Sequence, residues 1–159
     1  MSRQRKPKQA MKLETPAMGK GRRKDAERAA EHYLYEHEGC VMTVRAVQTQ
    51  WQRQDLFAAD VLGRRADGST VFAQATCGRE HCVRQRRRKL EKIPLAPDDT
   101  VMVLQMVARA NPANARRTDY FFRVHVYAHR DPKQPTWLVL DEAVPVPRAW
   151  FRARKKGED

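Results

Sequence analysis

The sequence predicts one α/β domain, a mixed β-sheet flanked by helices in the order αβββαβββ. Three observations predict it. Apolar residues recur at helical spacing over residues 22–37. Runs rich in β-branched residues, bounded by turn residues, occupy most of the remaining chain. A second, very basic helix separates the strands into two groups of three. At 159 residues and 41% apolar content the chain can build one core, because a chain this size buries roughly two-thirds of its unfolded surface.

Residues 1–19 read as a disordered arm, being polar and basic with two prolines and no apolar period. The first helix spans 22–37, since Ala26, Ala29, Ala30, Tyr33 and Leu34 fall at i, i+3, i+4, i+7 and i+8. Gly39 closes it. Residues 41–49 form a strand. Strands over 56–64 and 70–77 flank Ala66-Asp67-Gly68, a three-residue hairpin loop with glycine at the left-handed position. The basic helix spans 80–92 and stops at Pro94. Residues 100–108 are apolar on both faces and read as a central strand covered on both sides. Strands over 120–128 and 136–140 complete the sheet. The folded domain is thus expected over 20–147, with a basic tail over 148–159.

Thirty-two Lys and Arg against 19 Asp and Glu give a formal charge of +13. The excess is local. Residues 1–28 carry +7, residues 79–92 carry +5 and residues 148–159 carry +3, leaving the rest at −2. Three basic segments around a near-neutral fold are the footprint of phosphate binding, with a solubilising role as the alternative. No apolar run approaches the ~20 residues of a membrane span. The first residues contain no apolar stretch of the kind a secretory signal needs. Three cysteines, Cys40, Cys77 and Cys82, are an odd and sparse set that fits a reducing cytoplasm. Neither a Walker A loop nor a Gly-x-Ser-x-Gly elbow is present, so an NTPase or a serine hydrolase finds no support.

Candidate chemistry lies in the hairpin. The three-residue loop pairs Asp60 with Gln74, Leu62 with Phe72 and Ala58 with Thr76. Alternation places Asp60, Gln74 and Thr76 on one face, beside Leu56, Ala58 and Leu62. A carboxylate among apolar neighbours must be paired or ligate a cation. Two neighbouring oxygen donors suit Mg²⁺ or Mn²⁺; a hydrogen bond between the two side chains, or to nearby backbone, is the alternative. Elsewhere, Cys77, His81 and Cys82 are zinc donors without a matching second half. His125 and His129 share a strand face but lie roughly 13 Å apart along it, and both are expected to be half-exposed. Trp51, Trp137 and Trp150 either stack on bases or pack in the core.

The run Gly21-Arg-Arg-Lys-Asp-Ala-Glu27 with its helix to Gly39, then Asp55-Leu-Phe-Ala-Ala-Asp60-Val-Leu and Val71-Phe-Ala-Gln74-Ala-Thr76, resembles the PD-(D/E)xK nuclease superfamily. Within it the likeness is to archaeal-type Holliday junction resolvases and related phage nucleases, over about residues 19–108. The resemblance implies a restriction-endonuclease-like sheet and a structure-selective DNA endonuclease using Mg²⁺ or Mn²⁺. On it, Glu27 matches the helix glutamate and Asp60 the metal-binding aspartate. Gln74 takes the place of the second acid and Thr76 that of the lysine. The metal ligands are then Glu27, Asp60 and Gln74, with Asp55 an additional acid. Lys89 in the following helix is a candidate replacement for the lysine. Such sites hydrolyse a phosphodiester with a metal-activated water. A homodimer is implied too, because a four-way junction offers two symmetry-related cleavage points. Phosphate contacts are expected from Lys20, Arg22, Arg23 and Lys24 before Glu27, and from Arg84, Arg86, Arg87 and Arg88 on a helix exposed round most of its girth. The other function class is a non-catalytic nucleic-acid-binding protein on the same fold, towards which Gln74 and Thr76 lean. An RNA-binding accessory protein is a third.

Overall fold

A computed structural model describes residues 14–16, 22–46, 58–129, 133 and 136–154. The chain runs β1 (Glu14–Pro16), α1 (Arg22–His37), β2 (Cys40–Arg45), β3 (Val61–Arg65), β4 (Thr70–Thr76), α2 (Glu80–Leu90), β5 (Thr100–Ala110), β6 (Thr118–His129), β7 (Thr136–Val139) and β8 (Val144–Val146), and ends in a 3-10 helix, Arg148–Phe151. The fold is α/β, as expected, with a mixed sheet in the order β2-β3-β4-β5-β6-β7. β4 and β5 are parallel and α2 makes the crossover between them, while the other neighbours are antiparallel. The expected strands over 41–49 and 56–64 are the shorter β2 and β3. Residues 47–57, with Trp51, Asp55 and Leu56, lie outside the described residues.

Two strands exceed the expected order. β5 and β6 are longer than β4 and β7, so part of each ladder needs another partner. β1 pairs with Val107–Arg109 of β5, beyond the end of β4, and β8 pairs with Tyr120–Phe122 of β6, beyond the end of β7. The arm expected to be disordered over 1–19 is therefore tied to the sheet at residues 14–16. The described start of the expected C-terminal tail, residues 148–152, packs on α1 as well. Phe151 and Arg152 carbonyls bond Arg28 and His32 of α1 at 3.3 and 2.9 Å, and the Trp150 ring stacks on His32.

The α1 stripe forms as the spacing requires: Ala26, Ala29, Ala30, Tyr33 and Leu34 are its buried residues. They pack on Val61, Val71, Ala73 and Ala75 of the hairpin and on Met102, Leu104 and Met106 of β5. The opposite β5 positions, Val101 and Val103, pack with Phe72, Val83, Leu90 and Tyr127 under α2. Both faces of β5 are thus covered, which is why its sequence does not alternate. The hairpin register follows the loop length: Arg64↔Thr70, Leu62↔Phe72 and Val61↔Ala73. Gly68 takes φ +87° at the loop end.

Gly63 shows how closely α1 and β2 approach the hairpin. A methyl group there would lie 2.5 Å from Cys40 Sγ and 3.1 Å from Leu34 Cδ1. Neither neighbour is a long side chain that can swing aside. Gly63→Ala is expected to destabilise the fold by about 1–3 kcal/mol, the usual cost of overpacking. Urea unfolding of Gly63→Ala and of Gly63→Ala/Cys40→Ala checks this, since removing the sulfur should recover part of the loss.

Candidate active site

Asp60 sits in the bend before β3, and Gln74 lies on β4. The paired register ends at Val61↔Ala73, and the Asp60 N–H bonds the Ala73 carbonyl at 2.9 Å. The expected pairs of Asp60 with Gln74 and Ala58 with Thr76 therefore do not form. Both Asp60 and Gln74 are nonetheless nearly inaccessible, at 1% and 3% exposure. The backbone also shapes this corner. Ala58 is left-handed, with φ 60°, which ends the strand well inside the span expected for it. Its carbonyl oxygen accepts from Gln74 Nε2. That contact leaves Gln74 Oε1 to accept from Arg86.

One nitrogen of Arg86, on α2, serves both oxygens. This Nη1 donates to Asp60 Oδ2 at 3.1 Å and to Gln74 Oε1. Asp60 Oδ2 also accepts the backbone N–H of Ala75 at 3.1 Å. The buried carboxylate is therefore paired and hydrogen-bonded, the condition for keeping a charge out of water. Arg86 answers the question posed by an acid among apolar neighbours, and sequence reasoning had set it among the phosphate contacts instead. The signal that finds it is the position of Val83 and Leu90, the buried residues of α2. A helix anchored at those two positions turns 86 and 87 towards the sheet.

Glu27 approaches from α1 with 14% of its side chain exposed and Arg23 Nε 3.5 Å from its Oε1. Burial, reinforced by the negative charge of Asp60, raises its pKa above the usual carboxylate value, while Arg23, Arg45 and Arg86 pull it down. A cleft of about 270 Å³ opens here, lined by Arg23, Asp60, Gln74, Cys82, Gln85, Arg86 and Lys89. Lys89 thus borders the site, but Arg86, one turn earlier, is the cation seen on Asp60. Thr76 is buried at 4% exposure, and its Oγ1 accepts the N–H of Gly78, fixing the turn into α2. Asp55 and Lys20 lie outside the described residues.

The basic side chains divide by direction. Arg84, Arg88 and Lys89 are exposed, whereas Arg86 and Arg87 are partly buried and turn towards the sheet with Val83 and Leu90. Arg87 Nη2 donates to His125 Nδ1, and its guanidinium lies 5.4 Å from the Trp137 ring centroid. His125 Nε2 faces Gln105 Oε1 at 3.2 Å. Contrary to the half-exposed face expected for it, His125 is 2% exposed, with the Arg87 side chain of α2 and Gln105 of β5 bonded to its two ring nitrogens. The His129 side chain lies outside the described residues. Arg22 pairs with Asp25 at 3.0 Å and lies over the Tyr120 ring, while Lys24 is exposed. Trp137 donates to Glu91 Oε1 at 2.8 Å and stacks on Tyr127, and Trp150 packs with the α1-side core.

Cys82 Sγ lies 3.4 Å from His81 Nε2, and all three thiols are free. Among the described residues no three His, Cys, Asp or Glu side chains gather as a metal cluster, and no helix is long and apolar enough to cross a membrane. Comparison with family models, curated proteins and solved structures finds no match for this chain.

Proposed function

We propose that the protein is a metal-dependent DNA endonuclease on a restriction-endonuclease-like sheet, acting on branched or duplex DNA in the manner of Holliday junction resolvases. The observation that carries this reading is the convergence of Asp60 Oδ2 and Gln74 Oε1 on a single cationic group, with Glu27 electrostatically coupled to Asp60 from another element. Hard oxygen donors of this kind suit Mg²⁺ or Mn²⁺, so the residues fit the ion that the resemblance implies. Asp60, Gln74 and Glu27 would hold it. A bound divalent ion supplies an activated water and stabilises the leaving oxygen.

The remaining residues serve the substrate. Arg23 and Lys89 border the cleft, so a phosphate group entering it meets positive charge before it meets Asp60. Arg84 and Arg88 extend the basic surface along α2. A homodimer would present two such clefts to the two symmetric arms of a junction, and three free thiols suit a reducing cytoplasm. Incubation with labelled duplex, single strand and four-way junction, with and without Mg²⁺ or Mn²⁺, tests the reading. Ion-dependent cleavage of the junction is expected, and intact substrate under every condition defeats it.

The second reading, a nucleic-acid-binding protein without catalysis, is favoured by the Arg86 contact, since a guanidinium occupies the position a metal would take. Both readings share one expectation. DNA affinity should fall about tenfold or more between low and moderate salt as counterions are released. Arg84→Gln and Arg88→Gln should each reduce the slope of log affinity against log salt by about 1. A flat salt response would make the +13 charge a solubility device.

A further inference from the structure

Asp60 Oδ2 has two regions of lone-pair density, and two N–H groups already point at it. Ala75 N and Arg86 Nη1 each lie at 3.1 Å. The Ala75 bond belongs to the backbone of β4 and cannot be surrendered without disturbing the strand. The Arg86 bond belongs to a side chain that is 19% exposed and borders the cleft. Gln74 Oε1 is taken by the same Nη1. A divalent ion needs these oxygens at about 2.0–2.1 Å, inside the space the guanidinium fills, and the two positive charges repel. Metal and Arg86 therefore compete for one pair of oxygens.

An alternative acceptor decides the competition. A guanidinium presents five donors in a fork that matches a phosphate group. The cleft that Arg86 borders is also lined by Arg23 and Lys89, so it attracts phosphate. We infer that Arg86 is a built-in counter-ion which keeps the Asp60–Gln74 pair closed to a divalent ion until a nucleic-acid phosphate in the cleft draws it away. This rests on the proposed nuclease reading and deepens it, because it makes metal loading depend on substrate. Linkage then requires reciprocity: DNA tightens the ion and the ion tightens DNA by the same factor. Arg86 acts through Asp60 and Gln74, as a positioning residue.

Mn²⁺ binding tests this without any turnover. Bound Mn²⁺ is read from the loss of the free-ion paramagnetic resonance signal, for the protein alone and with a short DNA duplex, against duplex alone. Wild type is expected to bind Mn²⁺ weakly by itself and at least tenfold more tightly with duplex. Arg86→Gln alone should bind as tightly as wild type with duplex, and duplex should then add little. Arg86→Lys keeps a cation on the pair and should keep the dependence on DNA. Duplex leaving the wild-type Mn²⁺ affinity unchanged overturns the inference, and this comparison needs no variant to fold. So does Arg86→Gln binding Mn²⁺ no better than wild type while Asp60→Asn loses it, an outcome that leaves the metal site standing. Equal Mn²⁺ binding by wild type and Asp60→Asn under all conditions defeats the metal site itself.

Discussion

Asp60→Asn is expected to abolish Mn²⁺-dependent cleavage, by about a thousandfold or more, and to leave DNA affinity measured without divalent ion within about twofold of wild type. The first figure follows from removing the carboxylate most central to the oxygen set. A metal's stabilisation of the transition state is worth several kcal/mol, and roughly 4 kcal/mol is a thousandfold in rate. The second follows from where the exposed cations lie. Arg84 and Arg88 are on the outer face of α2 and do not depend on Asp60. Cleavage rate and DNA affinity measured on the same preparations check both halves. Undiminished cleavage by Asp60→Asn would place any activity elsewhere.

Asn is the informative replacement because it keeps the shape and an acceptor for the Ala75 N–H. Asp60→Ala removes the acceptor as well, stranding a buried backbone donor and a mostly buried guanidinium. That combination costs on the order of 3 kcal/mol, so lost activity in Asp60→Ala would mix chemistry with stability. A melting curve for each variant separates the two effects.

Much of this arrangement is legible in the sequence because it rests on short-range rules. The α1 stripe from Ala26 to Leu34 is a spacing, and the spacing alone tells which residues are buried. The pairing of Leu62 with Phe72 follows from a three-residue loop and a two-residue alternation. From these a shared face for Asp60 and Gln74 is expected, although the paired register ends at Val61↔Ala73. What that face meets is a tertiary fact. Whether Asp60 is answered by Arg86 or Lys89 depends on how α2 rotates about its axis, and its apolar anchors are just Val83 and Leu90 among many charges. β1 and β8 are three residues each, too short for any alternation, and exist because β5 and β6 outrun their neighbours. The burial of His125 likewise comes with the Arg87 side chain reaching its ring from α2, and nothing within 120–128 announces it.

His125 accordingly carries the clearest consequence for stability. Its Nδ1 accepts from Arg87 and so bears no proton, which leaves Nε2–H to donate to Gln105 Oε1 at 3.2 Å. The neutral ring satisfies both partners. A protonated ring would turn Nδ1 into a donor facing a guanidinium. Burial first, then the charges of Arg87 and Arg123, push its pKa down to about 4. An unfolded histidine titrates near 6.5, so between about pH 6.5 and 4 the unfolded chain binds a proton that the native state refuses. Stability is therefore present in full above about 6.5 and lost as pH falls through this window. The loss attributable to His125 between pH 7 and about 4 is about 2–3 kcal/mol. Carboxylates titrate over part of the same range, so the measurement is a difference. Urea unfolding of wild type and His125→Gln at matched pH values should show wild type losing that much more than the variant. Gln offers Arg87 an acceptor oxygen at every pH, whereas the wild-type ring ceases to accept once protonated. Parallel pH profiles for the two proteins would mean that the ring is protonated in the native state and that Arg87 bonds elsewhere.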